Sequence, residues 1–425
     1  MGAMAPTKVS NVAHSSGAHI KSVIRREDTV LRYDVSGDNW HMSWAEDDCQ
    51  YASLCDGFGP FKTPKGMYNS RLLALSGDPR QAKFEDVPGY PERMPPPVMN
   101  IPRYYNFGTL ALDGRIYQFL TTPNHGTQRP DGSPWTDMRF IGAKLIYSPD
   151  NGRTWRNQNG SAPVVWEDWN NRSRETMVFF EEDQDAFSLL TMLQMGKNYQ
   201  HNRDGYVYVY APNGNTEGRM NELVMFRVPK AQILNRDAYE YFAGRRADGS
   251  AKWTPDITAR AVVHTFPSGW VNRLLHPFAW HPSVVYNAPL GLYLMANWGA
   301  GSAPDGLWFG KPSYLGFWAA PNPWGPWTQI HEETAWLPAG DQNARAFAPQ
   351  IAPKWIAADG KSFWLVWSDY QQVDKETVEK FWQESGEKQK RNQMTAYDWT
   401  QEAAMMRKHM PYYAFNVQRV DLIIA

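Results

Sequence analysis

The chain has 425 residues, with 43 basic against 44 acidic side chains. So close a balance leaves no electrostatic footprint for nucleic acid or an anionic membrane, and no stretch is long and apolar enough for a membrane span. Aromatic residues are in surplus, 14% with 20 Trp; such rings in clefts stack on sugars and other flat apolar surfaces, so the expected partner is uncharged or small.

The chain opens without the apolar run of a leader, and "MGAM" reads as an expression-vector remnant, so residues 1–25 are a tail. Export, secreted or periplasmic, is expected, with a signal peptide already removed. From residue 26 to the end the chain reads as one all-β domain. A unit recurs in it: a small or aromatic-rich strand, a turn with Asp, Asn or Gly, an aromatic-rich strand and a further strand. It begins at "WHMSWAEDDCQYASLCDG" (Trp40), "YYNFGTLALDGRIYQFLTT" (Tyr104), "AFSLLTMLQMGKNYQHNRDGYVYVYAPNG" (Ala186), "HPFAWHPSVVYNAPLGLYLMANWG" (His276) and "AFAPQIAPKWIAADGKSFWLVWSD" (Ala346). Five such units predict a five-bladed β-propeller of four-stranded blades, unless a sixth lies within 213–271. The last strand, "YYAFNVQRVDLIIA", either completes the fifth unit or pairs with "TVLRYDV" near the start to close the ring. Closure would remove exposed sheet edges. Residues 374–409 are charged and nearly free of Gly and Pro, and predict a helical insertion of one or two helices near the C-terminus.

Cys49 and Cys55 lie six apart. On one extended strand they would be about 20 Å apart, too far to bond, whereas on opposite arms of a hairpin they could approach. No zinc signature, phosphate loop or nucleophile elbow is present, and no cofactor or metal is expected. "SPDNGRTW", at 148–155, has the S-x-D-x-G-x-T-W pattern of a turn packed at a blade rim, a structural device.

"SGDNWHMSWAEDDCQYASLCDGFG", at 36–59, is rich in acids. With the hairpin turn centred on Asp47, cross-strand partners are symmetric about it, so Asp38 and Asp56 fall opposite each other at the open end. Opposed residues lie about 5 Å apart at Cβ and share a face. Carboxylates that close repel. A fold keeps them where one, with raised pKa, acts as acid and the other as base or nucleophile, the arrangement that cleaves glycosidic bonds. The alternative is that both serve turns, as Asp47 and Asp48 are expected to do. A register slip of one residue would undo the pairing.

These residues, with "NSRLLALSGDP", "LIYSPDNGRTW", "GKNYQHNRDGYVYVYAPNG", "FRVPKAQI" and "DAYEYFAG", resemble a family of secreted bacterial propellers long known only as a domain of unknown function. Some of its members are endo-D-arabinanases, glycoside hydrolases that cut mycobacterial arabinan. The resemblance runs from about Tyr33 to Asp369. It implies two catalytic aspartates in the first blade, at the positions of Asp38 and Asp56. Here the second segment reads "CDGFG" where the family has "GDTFG", and the helical insertion has no counterpart.

Other candidates line a substrate cleft. Trp40, Trp44, Trp280 and Trp298 are possible stacking platforms. Tyr199 and Arg203, in the turn "GKNYQHNRDG", and His125, in a Gly/Pro-rich loop, are possible sugar contacts. His281 joins Trp280 as a cleft wall; its spacing of five from His276 does not suit a metal pair on a strand. Asp369 is a possible third acid. The expected function is hydrolysis of glycosidic bonds in a polysaccharide or oligosaccharide by Asp38 and Asp56. One rival is a polysaccharide lyase, with His125 or Tyr199 as base and Arg203 or Arg219 neutralising a uronate. A second is a sugar-binding propeller without turnover. Apolar neighbours at Asp56, Cys55 and Phe58, favour Asp56 as the acid.

Overall fold

The computed structural model of the protein describes residues 19–61, 66–94, 103–123, 140–167, 171, 173–174, 178–214, 221–267, 282–301, 309–371, 375–391 and 393–425. Two strands lead in, β1 (Ile20–Arg25) and β2 (Leu31–Asp38). The rest form five antiparallel groups in chain order. The first is β3 (Met42–Trp44), β4 (Gln50–Pro60), β5 (Arg71–Ser76) and β6 (Lys83–Asp86). The second is β7 (Tyr105–Leu112), β8 (Arg115–Pro123), β9 (Phe140–Ser148) and β10 (Arg156–Asn157), with β11 (Val178–Phe180) also on β9. The third is β12 (Thr191–Met192), β13 (Tyr206–Pro212), β14 (Glu222–Pro229), β15 (Glu240–Arg245) and β16 (Ala251–Thr254), with β17 (His264–Thr265) on β14. The fourth is β18 (Ser283–Asn287), β19 (Leu292–Gly299), β20 (Ser313–Ala320) and β21 (Thr328–Trp336). The fifth is β22 (Ala346–Ile356), β23 (Ser362–Asp369) and β24 (Ala414–Ile424), completed by β1.

Local sequence explains the hairpins. Asp113 and Gly114, both at positive φ, make the two-residue turn that joins β7 to β8. The last strand does both things expected of it: β24 pairs with β23, and it also pairs with β2, which pairs in turn with β4. The first and fifth groups thereby share one nine-stranded sheet. The described part of 213–271 adds strands to the third sheet and makes no group of its own.

The first strands of the groups contact one another in order: β3 with β7, β7 with β12, β12 with β18, β18 with β22, and β22 with β3. Such a strand has a ladder partner on one side only, so its other backbone groups need partners elsewhere. Neighbouring groups supply them. Ala111 N donates to Ser43 Oγ (2.7 Å), Gln194 N to Val284 O (2.9 Å), Ile351 N to Ser283 Oγ (2.9 Å) and Lys354 N to Gln50 Oε1 (3.0 Å). Apolar side chains fill the space between groups. Trp40, Trp318, Trp336 and Trp367 are fully buried, so much of the tryptophan surplus serves packing.

The insertion between β23 and β24 is a pair of helices, α1 (Lys375–Lys390) and α2 (Ala396–His409). Thr395 and Asp398 form a capping box at the start of α2, and Arg407, Lys408 and His409 complement its C-terminal end. The pair docks on the first group. Trp399 packs edge-on against Phe58, and Arg407 pairs with Asp34 at 2.7 Å and lies over the Phe61 ring. Ala403, Met406 and Met410 are buried beneath it.

Candidate active site

At one end of the first group, β2 and β4 approach so closely that a Cβ on Gly57 would sit 2.3 Å from Gly37 Cα. Only glycine fits there. The β3–β4 ladder has the expected register, with Met42 opposite Ala52 and Trp44 opposite Gln50. Beyond it the register shifts. Asn39 adopts a left-handed backbone (φ 55°), β2 is irregular between Ser36 and Asp38, and Asp38 lies opposite Cys55 instead of Asp56. A slip of one residue would ordinarily turn Asp56 to the other face. Asp56 is itself left-handed (φ 44°), which breaks the alternation, and the two carboxyls remain in each other's electrostatic field.

Each acid has amide support. Asn39 Nδ2 donates to Asp38 Oδ1 and Asn69 Nδ2 to Asp56 Oδ1, both at 2.7 Å. Tyr413 OH, arriving on the approach to β24, donates to Asp38 Oδ2 at 2.7 Å. Arg103 and Tyr105, at the start of β7, flank Asp56, with a 3.5 Å contact from Arg103 Nη1 to Tyr105 OH. Burial raises both carboxyls above the usual aspartate range. At Asp38 burial and then the charge of Asp56 push the carboxyl well up, against the hydrogen bonds from Tyr413 and Asn39. At Asp56 burial is opposed by the positive charge of Arg103 and by Asn69. A cation therefore favours ionised Asp56, while Asp38 is almost wholly buried and has neutral donors. Two carboxyls raised in each other's field titrate as a pair rather than independently.

Asp369, at the same end of β23, is fully buried. Its Oδ1 accepts from the backbone N–H groups of Arg345 (2.8 Å) and Gln371 (3.0 Å), and Oδ2 is buried without a partner. Burial pushes its carboxyl up to about 6, against the Arg345 hydrogen bond and the charge of Arg32. It is tied to the pair indirectly: Asp369 N donates to Tyr412 O, and the neighbouring Ser368 Oγ donates to Gly37 O.

The other expected site residues are placed elsewhere. Trp40 has no free face, because its indole donates to Ser368 Oγ and its ring packs on Phe415. Tyr199 is buried in the core and its hydroxyl accepts from Tyr208 N. Neither ring can stack on a ligand, which corrects both expectations. Trp44 lies at the opposite end of the strands, beside Lys197 and Asp48, and the exposed Arg203 follows the same turn as Lys197 and Tyr199. Trp298 is buried, stacked on Phe309. His125, His276, Trp280, His281 and Arg219 lie outside the described residues. Sequence reasoning missed Asn39, Asn69, Arg103, Tyr105 and Tyr413. Only Asn39, next to Asp38, had a local signal. Both cysteines are free, and in the 148–155 turn Asp150 accepts from Thr154 and Trp155 packs on Tyr90. Among the described residues no group of three His, Cys, Asp or Glu side chains could hold a metal ion.

The chain belongs to the family described as "Domain of unknown function (DUF4185)", which matches residues 109–376. That match begins C-terminal to both aspartates. No curated protein matches the chain. Among solved structures it is similar to the catalytic domain of the Coprinopsis cinerea GH62 α-L-arabinofuranosidase, at 12% identity and TM-score 0.40, covering 80% of this chain and 86% of that one. It is similar also to an α-L-arabinofuranosidase from Lactobacillus brevis, at 10% identity and TM-score 0.40 over 83% and 89%. A third is a protein of unknown function from Dyadobacter fermentans, at 10% identity and TM-score 0.40 over 96% and 100%. Likenesses this distant say nothing of what the present chain binds or cleaves.

Proposed function

We propose that the protein is a glycoside hydrolase built on a five-bladed β-propeller, one blade per strand group, with Asp38 and Asp56 as its reacting pair. The single observation behind this reading is a pair of raised carboxyls, Asp38 buried and Asp56 partly buried, held by amide and phenol donors at one end of the first hairpin. A fold gains no stability from burying two acids side by side.

Asp38, which has no cation beside it among the described residues, keeps the shared proton and is the general acid. This reverses the assignment that the apolar neighbours of Asp56 suggest. Asp56, in the field of Arg103, stays ionised. In the reaction Asp38 gives its proton to the leaving oxygen as the bond from that oxygen to the anomeric carbon breaks. Ionised Asp56 completes the step, either by taking a proton from the attacking water or by attacking the anomeric carbon itself before water releases the sugar. The configuration of the first-formed product, read by NMR, tells these apart. The substrate is a polysaccharide or oligosaccharide, and the sequence resemblance puts D-arabinan first among those to try. A polymeric glycan would be met outside the cytoplasm, so the protein is read as exported.

The test is activity of wild type, Asp38→Asn and Asp56→Asn on a polysaccharide panel that includes D-arabinan, following reducing ends and ultraviolet absorbance. Reducing ends without absorbance, lost in either variant, support the reading. An absorbing product that persists in both variants would replace it with a lyase. Sugar binding without any product would replace it with a binding propeller.

A further inference from the structure

We propose that Tyr413 is a positioning residue for Asp38, delivered by the helical insertion, and that it governs how readily Asp38 holds the proton of the acid pair. The consequence for turnover rests on the hydrolase reading; the geometry does not. Tyr413 follows α2 closely, its N–H donating to Met410 O at 3.1 Å, and its ring meets Tyr370 edge-on at 6.2 Å and Phe347 at 6.3 Å. The phenol is buried and spends its hydroxyl on Asp38 Oδ2. Burial and the nearby carboxylates push the phenol well above its ordinary range, so it stays protonated and remains a donor.

The groups facing Asp38 are few. From β4 come Asp56 and the Cys55 thiol, which burial keeps neutral; just after β2 comes Asn39; just before β24 comes Tyr413. Arg103 and Tyr105, from β7, act on the Asp56 side. Tyr413 and Asn39 therefore occupy one acceptor position on each Asp38 oxygen. When Asp38 is protonated its O–H uses a lone pair that neither donor occupies, or the phenol hydroxyl turns to accept it. α2 is anchored on the first group by Trp399 against Phe58 and by Arg407 on Asp34 and Phe61, so the phenol is held by the insertion as much as by β24.

Tyr413→Phe removes the donor and little else. A donor to a carboxylate favours its ionised form, so removing it raises the Asp38 midpoint. The first measurement needs no substrate: a carbon-13 carboxyl titration of aspartate-labelled protein, with the Asp38 signal assigned by Asp38→Asn. The expected result is a rise of about one pH unit in the Asp38 midpoint; an unmoved midpoint overturns the proposal. The second is the pH profile of kcat on whichever glycan is hydrolysed. The alkaline limb, set by the acid, should move up by about one unit, with KM changed less than about twofold. A uniform loss of rate with both limbs in place assigns Tyr413 a merely structural role and overturns the proposal. Should Tyr413→Phe not fold, Trp399→Ala, which loosens the anchor, must move the Asp38 midpoint in the same direction, and no movement overturns it. If Asp38→Asn hydrolyses like wild type, Asp38 is not the general acid, while the titration still decides the role of Tyr413.

Discussion

The first hairpin, with the end of β2 that leads into it, has Asp47 and Asp48 at its turn and Asp38 and Asp56 at its open end, and the two ends treat them differently. At the β3–β4 turn, Asp47 accepts from Cys49 N and from the Tyr51 hydroxyl, while the exposed Asp48 accepts from the Trp44 indole and is neutralised by Lys354 at 2.7 Å and Lys197 at 3.4 Å. These contacts, Lys354 foremost, hold the Asp48 carboxyl below the usual range. At the other end Asp38 and Asp56 are raised, with no ion pair on Asp38 among the described residues and amides or a phenol as donors. Residue type is the same at both ends. Burial and the placement of cations separate an exposed turn that holds the hairpin from a pair of raised carboxyls.

The sharpest break of that comparison is substitution within the raised pair. Either Asp38→Asn or Asp56→Asn is expected to lower hydrolysis by at least about a thousandfold while glycan binding, followed by calorimetry, persists. A loss confined to binding would remove the distinction between the two ends. Next comes the backbone contact that brings the pair together. Gly57→Ala places a methyl against Gly37 and Ser36 backbone that cannot move aside, and should cost at least about 3 kcal/mol in denaturant unfolding. Asp369 tests whether burial alone gives the raised signature. Its folded pKa of about 6 lies above the unfolded value, so its contribution is fully present below about pH 4 and is lost as pH rises to 6. Asp369→Asn should flatten stability between those limits and gain up to about 3 kcal/mol above pH 6, measured as melting temperature against pH. The smallest effect is expected at the turn. Asp48→Asn removes exposed ion pairs and should cost less than about 1 kcal/mol, less still at high salt, with hydrolysis unchanged.

Much of the fold was legible because its signals are local. Aromatic-rich strands punctuated by turns such as "LDGR" mark hairpins wherever they occur, and the strand order of each group follows from short connections. The helical insertion was legible for the same reason, from composition and lack of breakers. The acid pair was half legible. Symmetry about Asp47 put Asp38 and Asp56 at one end, but it could not show that Asn39 and Asp56 would both turn left-handed and shift the register by one. The platform at Trp40 and the sugar contact at Tyr199 were misjudged, because a ring that fills the core and a ring that faces a ligand have the same sequence signature.

By itself, then, the sequence determined the elements: strands, tight turns, a helical insertion and the two aspartates in the first hairpin. The tertiary structure alone decided their chemistry. Tyr413 meets Asp38 across 375 positions of chain, and Asn69 and Arg103 reach Asp56 from separate loops. Burial and electrostatic field are sums over everything that surrounds a carboxyl in space. No local pattern encodes such a sum, so only the folded chain could lower one aspartate at the turn and raise the pair at the other end.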